Sequence, residues 1–438
     1  MDTSSDKPGA PHRVLIVGGG AGGLELATRL GHVFKGDPVD VILVDASLTH
    51  VWKPLLHEVA AGSLDMGNNE IDYLTHAHQH GFQFHLGTME QLDRTQRQIW
   101  LSPRYDDVGV LMADRRALHY DTLVMAVGSH VNDFHTPGVA EHAIMLNTLA
   151  DAQRLHMRML SICLRLNEGT PVDSDIAIIG AGATGVELAA ELHGALKQYK
   201  RYVNEPGLLN VRIKLVEAAD TILGNLPAKV RARVSKWLQD KGIQVLTGQR
   251  VQEVTAEGLK MAQGPLISAQ LVIWAAGVQA PVWLTQLDGL PCNKLNQLLL
   301  NESLRSTVDE HIFGLGDCVS CTPPGRDKPV PPLAQVAHQQ AHYLARVIPL
   351  HVRGERDLPA FAFHDHGSLI SLGQEQAVGT LIGQLTGHGF FVEGLAARLS
   401  YWALYRGYLT ALHGWLKMLQ TTVGSWLTHS TKSRVKLH

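Results

Sequence analysis

The sequence predicts an α/β protein with two Rossmann-like domains and a distinct C-terminal helical region. Three observations predict it. Residues 14–30, VLIVGGGAGGLELATRL, and residues 176–192, IAIIGAGATGVELAAEL, align without a gap and agree at nine of seventeen positions, including three spaced glycines. Each stretch is followed by a second β-branched run that ends in an acidic residue. From Gly394 onward there are six Lys/Arg and no Asp or Glu, although the chain holds 41 acidic residues.

Length and composition agree with this division. A chain of 438 residues is long enough for two or three domains with their own cores. With 45% hydrophobic residues, 18% charged residues and a net charge of −3, it is an ordinary globular composition, neither disordered nor polytopic in a membrane. That charge also excludes a generally basic nucleic-acid binder. Four cysteines are too few and too scattered for a disulfide framework, so reduced thiols are expected. The N-terminal MDTSSDKPGAPHR has no apolar core of a signal peptide, and no run of 18 apolar residues predicts a spanning helix.

The first cradle reads strand, tight turn, helix. Val14–Val17 is the strand, Gly18, Gly20 and Gly23 form G-x-G-x-x-G, and LELATRLGHVF has helical period. Gly18 permits the turn, Gly20 lets backbone approach a pyrophosphate, and Gly23 lets helix pack on strand. Asp45 ends the next strand, 22 residues beyond Gly23, where a carboxylate can bond a ribose 2′-OH. In the second cradle Gly180, Gly182 and Gly185 repeat the motif and VRIKLVEAA ends its strand on Glu217. The interval to that acid is about ten residues longer than usual, and KQYKRYVNEPGLLN reads as the insertion. Two cradles imply two dinucleotides, FAD in one and a nicotinamide cofactor in the other, with hydride passing between their rings. Glu217 favours NADH over NADPH, although Lys214 nearby could offset it. An internal duplication with one decayed site is the alternative.

Further along, HYDTLVMAVG and LVIWAAGV are buried strands ending in glycine, and HIFGLGDC is a third, ending in Gly316-Asp317. Taken with VWKPLLHEVAAGSLD, VPPLAQVAHQQ, DHGSL and the terminal KLH, the chain resembles type II NADH dehydrogenases, the non-pumping NADH:quinone oxidoreductases among two-dinucleotide flavoproteins, and most of all their proteobacterial members. The resemblance implies non-covalent FAD at Gly18, Gly20, Gly23, Asp45, Lys53, Gly128, Gly316, Asp317 and Ala334. It implies NADH at Gly180, Gly182, Gly185, Glu217, Ala276 and Gly277. Gln335 and Gln339 match the segment where flavin and quinone meet, and Glu187 matches an acid near the reacting rings. By residue chemistry alone, Glu187 could equally be a helix N-terminal acid and the glutamine pair a solvated helix face.

The implied acceptor is a membrane quinone, ubiquinone or menaquinone. The implied location is peripheral, on the cytoplasmic face of a bacterial inner membrane. In the tail, Leu395, Leu399, Trp402, Tyr405 and Leu409 recur at helical spacing, continued by Leu412, Leu416 and Met418 and interrupted by Arg398, Arg406 and Lys417. Basic and aromatic residues without acids describe an amphipathic, membrane-binding helical region. A dimer-packing helix would show the same stripe, and the reading admits a homodimer. Domain bounds follow: FAD at 12–147 and 300–365, NADH at 148–299, tail at 366–438.

Cys318-x-x-Cys321 reads as structural, because WKPLLHEVAAG lacks the cysteine pair that disulfide reductases carry there. His76, His78 and His80 read as a loop-like surface cluster rather than a metal site. Rival readings are a sulfide:quinone oxidoreductase and a membrane-docked redox sensor that binds both dinucleotides without turnover.

Overall fold

The computed structural model describes residues 10–64, 70–168, 175–200, 211–373, 376–382, 389–401, 403 and 406–412. The chain divides into two compact units, one of residues 1–52, 69–130 and 278–364, the other of residues 53–68, 131–277 and 365–438.

The first unit is built on a five-stranded parallel sheet in the order Ile312–Gly314, Thr122–Met125, His12–Val17, Val39–Asp45, Gln83–Leu86. Val14, Leu15, Ile16, Leu43, Leu123, Val124 and Met125 are all but inaccessible. Such unbroken apolar runs are what a parallel sheet covered on both faces requires. Helix Ala21–Val33 turns Leu24, Leu26, Ala27 and Leu30 into this core, and stops at Phe34 ahead of Asp37-Pro38. Helix Ala334–Val352 lies against it where Gly22 leaves room for Leu315 and Ala337.

The second unit repeats the plan: Ala143–Met145, Leu271–Trp274, Ile176–Ile179, Ile213–Val216, Gln244–Leu246, all parallel. In both sheets the cradle strand is central, with the acid-ended strand on one side and the strand-glycine segment on the other. They differ in the outermost strand. Ile312–Gly314 arrives late in the chain, whereas Ala143–Met145 precedes its cradle. A three-stranded antiparallel sheet, Gly367–Ser371, Ala377–Ile382, Gly389–Glu393, belongs to this unit and packs on helices Ala183–Tyr199 and Ala228–Asp240.

The division departs from the expected bounds in four places, the first being that residues 365–438 join the second unit and do not stand apart as a tail. Residues 53–68 go with the second unit because helix Leu56–Ala60 packs on helices Leu149–Asn167 and Ala183–Tyr199. Residues 278–299 go with the first unit, and 131–147 with the second, where Ala143–Met145 completes the sheet. Residues 197–199 of the expected insertion continue the cradle helix, and 201–210 lie outside the described residues. The histidine segment is not a loop. Asp72 caps helix Tyr73–His80 through Thr75 N–H, and His76 is buried with its Nε2 2.9 Å from Thr28 Oγ1.

In the second unit Asp175, 2% exposed, receives both Nε and Nη2 of Arg212 at 2.7 Å and Lys214 Nζ at 2.6 Å. Asp175→Asn leaves Lys214 without its anion in a largely buried position, at a cost of about 2–3 kcal/mol. Urea unfolding of the two proteins measures that loss.

Candidate functional site

Each cradle is held open by the acid at the end of the neighbouring strand. Gly19 N–H donates to Asp45 Oδ2 at 2.7 Å and Ser47 N–H to Oδ1 at 2.8 Å. In the second unit Ala181 N–H donates to Glu217 Oε2 at 2.7 Å and Ala219 N–H to Oε1 at 2.9 Å. The two carboxylates therefore sit in equivalent geometry, each fixing the residue between the first two glycines of its loop.

The glycines sort by role. Gly18 and Gly180 have φ of +105° and +99° and press on the Ala126-Val127 and Ala275-Ala276 backbone, where side chains would collide. Gly128 and Gly277, at φ +71° and +66°, turn the chain just beyond those contacts. A Cβ on Gly23 or Gly185 would strike the carbonyl of Gly18 or Gly180. A Cβ on Gly20 or Gly182 would meet nothing within 4 Å. Those two glycines start helices that have no side-chain cap among the described residues. An open cradle with uncapped helix N–H groups fits a pyrophosphate in both units.

Residues outside the motifs complete the first cradle. Tyr73 Oη donates to Gly19 O at 2.6 Å, and buried His50 places Nδ1 2.9 Å from the same oxygen. Burial pushes His50 down to about 4, so its ring is neutral. Neither carries a sequence signal, since both reach the loop from distant segments. Ser129 Oγ donates to Asp317 Oδ2 at 2.8 Å, and Gly316 N–H donates to Oε1 of fully buried Gln340 at 2.7 Å. Gln340 was missed because the pattern weighs its neighbour. Gln339 spends its amide on backbone: Nε2 donates to His364 O at 2.7 Å and Oε1 accepts His364 N–H at 2.9 Å. Glu25 is buried and tied to Arg29 and His338, a structural use. Lys53, exposed on the turn Lys53–Leu55, falls in the second unit rather than with the other expected FAD residues. Ala334 opens the helix that carries Gln335.

In the second unit Glu187 belongs to a group of carboxyls. Ser371 N–H donates to Glu187 Oε1 at 2.9 Å, and Ser63 Oγ donates to Glu191 Oε2 at 2.9 Å. Burial, then the nearby Glu58 and Glu191, push Glu187 up to about 8 against the Ser371 bond. Burial and Glu191 push Glu58 up to about 8 as well. Burial raises Glu191, and burial followed by all three carboxyls raises Tyr401. Sequence pattern singled out Glu187 alone; Glu191 follows it at i+4 on the same helix, and Glu58 lies on a different one, Leu56–Ala60.

Burial holds the Cys318 thiol up at about 12 and Cys321 at about 11, with Cys318 Sγ 3.4 Å from Leu315 O. Both are free, protonated thiols, unsuited to dithiol exchange. Among the described residues there is no His/Cys/Asp/Glu group that could hold a metal ion.

Two parallel sheets, each with an acid-held glycine loop, define a protein that binds two dinucleotides. The family model for pyridine nucleotide-disulphide oxidoreductases matches residues 12–341, and the chain belongs to that family. Within it the chain belongs with the type II NADH:quinone oxidoreductases. The one from Haemophilus influenzae is 37% identical over 443 residues, spanning 97% of this chain and 99% of the relative. Demethylphylloquinone reductase NdbB of Synechocystis is 30% identical, spanning 95% and 97%. Among solved structures, NDH2 from Plasmodium falciparum in complex with NADH has the same fold, with a TM-score of 0.81 at 20% identity over 97% of this chain and all of that one. The sulfide:quinone oxidoreductase of Aquifex aeolicus shares the fold at TM-score 0.73 and 17% identity, over 92% of each chain.

The carboxyl group has a thermodynamic signature. A folded-state pKa raised from about 4.5 to about 8 gives stability that is whole below about pH 4.5 and is lost as pH rises through about 8. Glu58→Gln removes one such titration. Its melting temperature matches the wild type at about pH 4.5 and exceeds it by roughly 2–4 °C at about pH 8, read by calorimetry across that range.

Proposed function

We propose that this chain oxidises NADH and reduces a membrane quinone, holding FAD non-covalently in its first cradle and admitting NADH to its second. The carrying observation is the pair of equivalent, acid-held glycine loops on a chain that is 37% identical, over nearly its full length, to a type II NADH:quinone oxidoreductase. Bound FAD supplies the hydride-accepting ring and the two-electron step to quinone. The balance is NADH, one proton and quinone giving NAD⁺ and quinol, without proton translocation.

The residues divide the work. Gly18, Gly20 and Gly23 cradle the FAD pyrophosphate and Asp45 takes its ribose hydroxyl, while Gly128, Gly316, Asp317 and Ala334 serve the rest of the cofactor. Gly180, Gly182, Gly185, Ala276 and Gly277 receive NADH, with Glu217 on the ribose 2′-OH. Lys214 does not weaken that preference, because Asp175 and Ser268 O engage its ammonium. Gln335 meets the quinone head group. Gln339 holds the His364 backbone and so fixes the segment at which quinone is reduced. Glu187, neutral below about pH 8, orients the reactants and holds a transferable proton at its carboxyl. The sulfide rival is disfavoured by two buried, protonated thiols and an intact second cradle.

The tail reaches the lipid. Ala397, Tyr408 and Leu412 are buried, whereas Leu395 is 72% exposed, Leu399 57% and Phe390 57%. Leu412 thus leaves the outward stripe, and Trp402, Tyr405, Trp415, Leu416, Lys417 and Met418 lie outside the described residues. Each large apolar side chain buried in the interface contributes roughly 1.5–3 kcal/mol and each basic residue about 1 kcal/mol on an anionic leaflet. No helix among the described residues is long and apolar enough to cross a membrane. Docking from the cytoplasmic side of a bacterial inner membrane accounts for these features.

The deciding measurement is NADH oxidation by FAD-loaded protein in lipid, with and without a short-chain quinone and with NADPH as control. Quinone-dependent oxidation of NADH is expected, and flavin reduction that quinone leaves unchanged would remove the acceptor. Glu187→Gln slows at least one half-reaction by about 10- to 100-fold in stopped flow, and equal rates in both would remove its role. Leu395→Asp with Leu399→Asp abolishes sedimentation with anionic vesicles while preserving turnover with a water-soluble quinone.

A further inference from the structure

The helix that follows the Glu217 loop carries a cation that the cofactor reading does not use. Both carboxylate oxygens of Glu217 are fixed by backbone N–H groups, and Leu223 N–H returns to Ala181 O at 2.9 Å. Residues 217–223 are thereby wrapped onto the second cradle, with Thr221 on the wrap. Arg231, in the first turns of helix Ala228–Asp240, donates from Nη1 to Thr221 Oγ1 at 3.1 Å. Its neighbours on that helix are engaged elsewhere. Lys229 Nζ stands 4.3 Å over the Phe391 ring, and Arg233 Nε pairs with Glu393 at 3.1 Å. The Nε of Arg231 is buried without a hydrogen-bond partner among the described residues.

A ribose 2′-phosphate is attached at the carbon whose hydroxyl the strand-end acid reads, so this loop is what such a phosphate meets. Guanidinium is the side chain whose planar fork matches phosphate. Repulsion from Glu217 and attraction to Arg231 then act on the same group with opposite sign.

We propose that Arg231 is the second specificity-determining residue of the NADH site: its guanidinium, held at the ribose loop by Thr221, binds the 2′-phosphate of NADPH once the charge of Glu217 is removed. This rests on the second cradle being the NADH site. Exclusion of NADPH in the native chain then depends on the carboxylate of Glu217 at the ribose hydroxyl, with Asp220 adding to the negative charge of the same loop.

The test is a titration of the FAD-loaded full chain with NAD⁺ and NADP⁺ by calorimetry, which needs no turnover, on the wild type, Glu217→Gln, Arg231→Ala, Arg231→Lys and the double variants. Glu217→Gln is expected to improve NADP⁺ binding relative to NAD⁺ by about 30-fold. Adding Arg231→Ala removes about 10-fold of that gain, as expected for one charge-assisted hydrogen bond, and Arg231→Lys keeps part of it. Arg231→Ala alone leaves the NAD⁺ dissociation constant within about 3-fold. The inference is overturned if Glu217→Gln gains nothing for NADP⁺, if the double variant keeps the whole gain, or if Arg231→Ala weakens both nucleotides equally, as a purely structural role would. Wild-type protein that binds no NAD⁺ would instead overturn the assignment of the cradle itself.

Discussion

The hydrogen bond from a glycine-loop amide to a strand-end carboxylate organises each unit. A loop of closely spaced glycines has little intrinsic preference for one conformation, and ordering it costs more backbone entropy than ordering other residues. Asp45 and Glu217 each fix such a loop at one amide, from the strand beside the cradle strand. The carboxylate can do this only if the two strands run parallel in fixed register, as in Ile16 with Leu43 and Ile178 with Leu215. Sheet register, loop shape and cofactor recognition are therefore one constraint, met twice in one chain.

What was legible in the sequence is what recurs locally. Gly18, Gly23, Gly180 and Gly185 could be placed because steric demands within a few residues dictate glycine there. The acids could be placed because a strand of known period must end where the loop begins. Tyr73, His50 and Gln340 could not, since each meets its cradle only after the chain has returned from far away. The same limit hid the partners of Glu187. Nothing in residues 56–60 or 401 marks them as neighbours of the second cradle helix, and only packing brings Glu58 and Tyr401 near that carboxyl, whereas Glu191 stands at i+4 on the same helix. The histidine segment failed differently. Alternating histidines read as a loop-like surface cluster, but Asp72 at the cap and the fit of His76 against Thr28 favour a helix.

The carboxyl group also shows that burial, more than any single charge, sets its chemistry. Desolvation is the leading cause of the upward shift at Glu58, Glu187 and Glu191 alike, and no lysine or arginine among the described residues offsets it. Glu58 and Glu187, both pushed up to about 8, hold protons near neutrality. A carboxyl that is neutral and hydrogen-bonded to Ser371 N–H is a proton donor, whereas an exposed glutamate at the same helix position would be an anion and could only accept.

The duplication is close in backbone and unequal in how each loop is finished. In the first cradle the carbonyl of Gly19 is held by Tyr73 and a neutral His50, both buried, in addition to the Asp45 bond to its amide. In the second, the carbonyl of Ala181 receives, among the described residues, the backbone amide of Leu223, from the loop that also bears Thr221. Buried side-chain partners make the first loop costly to distort, because moving it would leave three polar groups unsatisfied. The second, with a backbone amide in place of those side chains, leaves fewer groups unsatisfied on distortion. That difference is the one expected if the first cradle keeps FAD through every turnover and the second admits and releases NADH, as proposed.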